Sequence, residues 1–127
     1  MSGEIDFKAS VVKVLRAQGA MCYPMIADAY SPAGWPDLLV VSQFWIGLIE
    51  FKGATTRLDP IQAKIIWDLR VRRPGSAWIV REDANGLCEV RSVMRDRTGD
   101  AVCYIEKYVK TVPTRDLLTT FVMDGTG

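Results

Sequence analysis

Hydrophobic residues recur in this chain at two spacings, and the alternation between them predicts its elements. Phe7, Val11, Val14 and Leu15 lie at helical spacing within Gly3 to Gln18, an amphipathic helix that Gly19 would end. Glu4 continues the apolar stripe, whereas Asp6, Ser10, Lys13 and Ala17 fall on the solvent side. Met21 to Ala27 reads as a strand that Pro24 confines to an edge or a bulge. Gly34 to Val41 and Trp45 to Gly53 are rich in Val, Ile and aromatics, bounded by Gly, Pro and Ser, and separated by the hairpin-length Ser42-Gln43-Phe44. Asp59-Pro60-Ile61-Gln62 opens a second helix with Asp as N-cap, Pro at the first helical position and Gln two residues on. Its predicted buried stripe is Ile61, Ile65 and Leu69, and it runs through Arg70, Arg72 and Arg73 to Pro74-Gly75. Ser76 to Arg81 is a further buried strand, and strand, helix, strand implies a right-handed parallel crossover. Asn85-Gly86 signals a hairpin into Leu87 to Val93, followed by a polar turn over Met94 to Asp100 and a strand from Ala101 to Val112. Thr114 would cap a short last helix, Arg115 to Met123. The fold class is α/β, an αβββαβ core with a mixed sheet flanked by helices, then a C-terminal β-hairpin and short helix. One domain spans 1–127, with the core over about 3–82 and an extension over about 83–127.

Pairing the two central strands would bring Asp37, at the start of one, beside Glu50 and Lys52, at the end of the other. Side chains alternate across a strand, so Trp45, Ile49 and Phe51 belong to a core while Ile46, Leu48, Glu50 and Lys52 share the opposite face. An apolar strand that ends in an acid and an amine, with a third charge opposite, has two readings. One is a salt bridge at the rim of a sheet. The other is a divalent-metal site, because two adjacent carboxylates resist joint ionisation unless a hard cation takes their oxygens.

Composition narrows the chemistry. The 127 residues contain no histidine, which removes Ser-His triads, His-ligated zinc hydrolases and His-dependent nucleases. Carboxylates, Lys, Tyr, Cys or metal-bound water must do any acid–base work. Cys22, Cys88 and Cys103 are odd in number and widely spaced, which argues for reduced thiols and a cytoplasmic protein rather than a disulfide framework. No apolar run approaches a membrane span. A net charge of +1 gives no global basic field, so any nucleic-acid contact must rest on a local patch.

Gly34-x-Pro36-Asp37, Glu50-x-Lys52 and Leu58-x-Pro60-x-Gln62, in that order, resemble the PD-(D/E)xK nuclease superfamily. They are most similar to its small stand-alone VRR-NUC (virus-type replication–repair nuclease) domains of phages and bacteria. The resemblance covers roughly the first two-thirds of the chain and implies a restriction-endonuclease-like fold. It also implies a metal-dependent DNA endonuclease selective for branched or junction DNA, a Mg²⁺ or Mn²⁺ cofactor, and in some members a homodimer. On these positions the catalytic set is Asp37, Glu50, Lys52 and Gln62. The metal set is Asp37, Glu50, the Phe51 backbone carbonyl and Glu4. Thr55, Thr56, Arg57 and Tyr30 fall where DNA would be contacted. The C-terminal hairpin and helix, which the resembled nucleases do not require, could extend the sheet, form a dimer surface or grip DNA through Arg91, Arg95 and Arg97. Plainer roles stand beside these: Glu4 favoured by the helix dipole, Gln62 as the return arm of a cap, Tyr30 covering the core edge. The alternatives for the whole chain are a catalytically silent nucleic-acid-binding or protein-interaction module, and a structural protein in which Glu50 and Lys52 are salt-bridge partners.

Overall fold

A computed structural model describes residues 3–26 and 33–124. Tyr30, the end of the first predicted strand at Ala27 and the side chain of Glu4 lie outside the described residues. The elements run α1 (Glu4–Ala17), β1 (Met21–Pro24), β2 (Leu38–Val41), β3 (Ile46–Lys52), α2 (Pro60–Arg72), β4 (Ala77–Glu82), β5 (Cys88–Thr98) and β6 (Ala101–Val112). A 3₁₀ turn, Thr114–Asp116, then leads into α3 (Leu117–Met123). The strands form one open sheet in the order β1-β2-β3-β4-β5-β6. Neighbours are antiparallel except β3 and β4, which run parallel because α2 carries the chain back between them. The mixed α/β sheet flanked by helices is the architecture expected from the sequence.

Alternation along the strands divides the apolar residues between two faces. On one, Phe7, Val11 and Leu15 of α1 pack with Ile49, Phe51, Trp78 and Val80, and Leu117 and Phe121 of α3 complete the cluster. The Phe121 ring stacks on Trp78 at 5.3 Å and lies 4.6 Å from Trp45. Both indole N–H groups donate to the Gly75 carbonyl, at 2.6 and 2.9 Å, so two buried tryptophans share one acceptor. On the other face Ala63 and Ile66 of α2 pack on Ala77, Ile79 and Val93.

Several boundaries differ from those expected. β2 begins at Leu38, not Gly34, because Gly34 has φ +91° and Pro36 has no N–H to give a ladder. β1 ends at Pro24, although the Met25 N–H still donates to the Asp37 carbonyl at 2.7 Å. The buried stripe of α2 is not Ile61, Ile65 and Leu69. Ile61 is 57% exposed, and the buried positions are Ala63 and Ile66. Apolar residues circle this helix, so periodicity alone does not select a face; its cap does, by turning Gln62 toward the sheet. The segment Met94 to Thr98 is strand rather than turn, and only Gly99-Asp100 reverses the chain. Its residues are exposed and polar, so no apolar alternation marks them. Val109 is the extra residue of a β-bulge, since Val90 pairs with Lys110 and Arg91 with Tyr108. Thr114 makes no helix cap; its Oγ1 lies 3.5 Å from Cys88 Sγ.

Candidate active site

Asp37 immediately precedes β2. Leu38 pairs with Ile49, so continuing that antiparallel register sets Asp37 opposite Glu50. Asp37 Oδ2 accepts the Phe51 N–H at 3.0 Å, which ties the carboxylate to β3. Glu50 is only 2% exposed. Its Oε2 accepts a hydrogen bond from Gln62 Nε2 at 3.1 Å and lies 3.5 Å from Lys52 Nζ. Its Oε1 is buried with no hydrogen-bond partner among the described residues. Burial first, and the Asp37 charge second, push the Glu50 carboxyl up to about 7, against the pull of Lys52 and Lys8.

Gln62 reconciles its two readings. Its Oε1 accepts the Asp59 N–H at 3.2 Å and Asp59 Oδ1 accepts the Ile61 N–H at 2.8 Å, closing the cap, while its Nε2 reaches Glu50. One side chain both starts α2 and orients a strand carboxylate. Lys8, whose amine lies 5.8 Å from the Phe51 ring centre, was missed by sequence reasoning. A signal existed, because Lys8 lies one turn beyond Glu4 on the same side of α1.

The donor set suits a hard cation better than a soft one, since it comprises carboxylates and the unpartnered Glu50 Oε1. Among the described residues no group of three or more His, Cys, Asp or Glu gathers as a metal cage. Asp37 and Glu50 are therefore the carboxylates that the described residues bring together there.

Thr55, Thr56 and Arg57 do not touch these carboxylates. They line an adjoining cleft of about 350 Å³ with Arg81, Arg91 and Glu106. Arg81, the β4 partner of Lys52, is the second residue that the sequence left unassigned. It is 6% exposed, with Nε and Nη2 on the two Glu106 oxygens at 3.1 and 2.9 Å and Nη1 on the Gly53 carbonyl. This fork braces the turn that follows Lys52. Of the arginines at the end of α2, Arg70 faces inward, donating to the Ala77 carbonyl at 2.8 Å and lying 4.3 Å over the Trp78 ring. Arg72 bonds the Asp68 carbonyl of its own helix.

No family model matches the sequence, and no curated protein matches it. Among solved structures, the chain is similar to Hjc, a Holliday junction resolvase from the archaeal hyperthermophile Archaeoglobus fulgidus. The TM-score is 0.62 at 16% identity, covering 90% of this chain and 98% of that one. At that identity the likeness establishes a shared fold.

Proposed function

We propose that this chain is a Mg²⁺- or Mn²⁺-dependent endonuclease that hydrolyses phosphodiester bonds in branched or junction DNA. What carries the reading is the meeting of Asp37, Glu50 and Lys52 at one end of one sheet face, with a Glu50 oxygen buried and unpartnered. Similarity of fold to a Holliday junction resolvase supports the branched substrate, and the motif order supports the superfamily.

Asp37, Glu50 and the Phe51 carbonyl would hold the cation, with Glu4 contributing from α1. Bound there, it supplies positive charge to the phosphate and acidity to a coordinated water. The protein's own groups set the stage for that chemistry. Gln62 fixes one Glu50 oxygen and leaves the other buried without a partner among the described residues. The Phe51 N–H holds Asp37. Lys52, half-buried beside Glu50, stabilises negative charge as it builds on the phosphate oxygens. A two-fold homodimer would present two such sites to opposing strands of a symmetric branch.

The test is cleavage of labelled four-way junction, flap and plasmid DNA in Mg²⁺ and in Mn²⁺. The wild type should cut the junction, and Asp37→Asn, Glu50→Gln and Lys52→Ala should each lose at least about 100-fold in rate while keeping the wild-type circular dichroism. An effect of that size is about 2.7 kcal/mol of barrier. Junction binding by the wild type with no cutting in either metal would reject the nuclease in favour of a silent binding module.

A further inference from the structure

The chain as a whole carries a charge of only +1, yet one side of its sheet concentrates arginine. β4 pairs with β5 only as far as Arg91. From Ser92 to the Gly99-Asp100 turn, β5 and β6 therefore continue as a two-stranded ribbon of about 20 Å, at about 3.4 Å per residue. Register assigns the faces of this ribbon. Arg91 with Tyr108, Val93 with Glu106, Arg95 with Tyr104 and Arg97 with Val102 are cross-strand pairs on one side. Val93 packs beneath α2, so this is the side that carries Glu50, Lys52 and Arg81. Ser92 with Lys107 and Asp96 with Cys103 occupy the other.

On the α2 side the cations alternate with rings. Arg91 lies 5.9 Å from the Tyr108 ring centre, Arg95 lies 5.9 Å from that of Trp67, and Trp67 lies 6.1 Å from Tyr104. Arg57, Arg95 and Arg97 are exposed and form no ion pair among the described residues. Arg95, free of acids and steadied by the Trp67 face, and Arg97 beyond it on the same paired strand are complementary to phosphate, whereas Arg91 is held by Glu89 Oε1 at 2.6 and 3.0 Å.

We propose that the α2-side face of the β5–β6 ribbon is a second DNA contact, holding the phosphate backbone of a duplex arm that leaves the cutting site. Arg91, Tyr104 and Glu106 line the cleft with Thr55, Thr56 and Arg57, and the ribbon runs on from there alongside α2 to its tip. A duplex seated at Asp37 and Glu50 would thus continue along Arg57, Arg95 and Arg97, unpaired among the described residues. Contacts of this kind position DNA without reading its sequence. The proposal rests on the nuclease reading for the direction of the DNA, but it is measurable without cleavage.

The experiment measures binding of a labelled four-way junction in EDTA from about 50 to 200 mM salt, for wild type, the double variant Arg95→Gln/Arg97→Gln, and Lys107→Gln. Lys107 is an exposed cation on the opposite face of the same ribbon. The double variant should bind at least about tenfold more weakly at 100 mM salt, with a log–log salt slope shallower by about 2. Lys107→Gln should match wild type, and all three should share one melting temperature. Wild-type affinity and slope in the double variant would overturn the proposal, as would an equal loss in Lys107→Gln. Conversion of a dimer to a monomer by the double variant, in sedimentation without DNA, would assign the face to a second copy and also overturn it. A wild type that binds with the expected slope but never cuts in Mg²⁺ would remove the nuclease reading and leave the ribbon standing. A cutting wild type whose ribbon variants bind unchanged would remove the ribbon alone.

Discussion

A carboxyl with 2% exposure and a second carboxylate across the hairpin holds its proton to about pH 7, and that has a thermodynamic consequence for Glu50. In the unfolded chain the same group ionises near pH 4.5. Between those values the folded state binds more protons, so the contribution of Glu50 to stability falls as pH rises from about 4.5 through 7 and stays low above that. The span is on the order of 3 kcal/mol. Glu50→Gln cannot ionise, so its stability relative to wild type should improve by roughly that amount between pH 4.5 and pH 8 in metal-free buffer. Urea unfolding at the two pH values checks this; a constant difference would mean that Glu50 is already ionised at low pH. Divalent metal should reverse the trend, because a cation on Glu50 displaces its proton and binds more tightly as pH rises. Asp37, Glu50 and Lys52 were legible as neighbours from strand alternation and hairpin length alone. Arg81 was not, because it reaches the site only after β4 has docked, and Lys8 was signalled only by its place one turn beyond Glu4.

Among the elements, α2 separates what a local pattern can specify from what packing must decide. Its start was readable in Asp59-Pro60-x-Gln62, since the cap is made by residues two and three positions apart. Its buried face was not, because apolar residues surround the helix and the choice is made by Gln62 reaching Glu50 and by Ala63 permitting close approach to β4. Ile66→Ala should therefore cost about 2–5 kcal/mol, whereas Ile61→Ala should stay within about 1 kcal/mol, as is usual for exposed positions. Chemical denaturation of the two variants decides which stripe is core. The β5–β6 ribbon escaped the sequence for a related reason. Both of its faces are largely exposed beyond Ser92, so neither a period of two nor a run of apolar residues distinguishes strand from turn.

Across the whole molecule, the C-terminal segment is structural as well as peripheral. Phe121 lies between Trp45 and Trp78, which are themselves joined through Gly75, so α3 closes the face opposite the carboxylates. The order of the core elements was legible early because each is announced by its own turn or cap. The way the last third folds back on the first was not, since its contacts join distant residues, Gln18 to Arg115 being 97 positions apart. The extra residue in β6 has its effect at this scale. Val109 packs on the core and adds local twist, and everything outward of it behaves as a lever. Removing Val109 keeps every cross-strand partnership but straightens the hinge. A change of about 20°, the ordinary rotation between neighbouring strands, swings a tip about 20 Å away by about 7 Å. On the proposed cleavage and ribbon contact, deleting this one residue should leave the cut position unchanged while displacing the far boundary of DNA protected from nuclease digestion, a change that footprinting would resolve to the nucleotide.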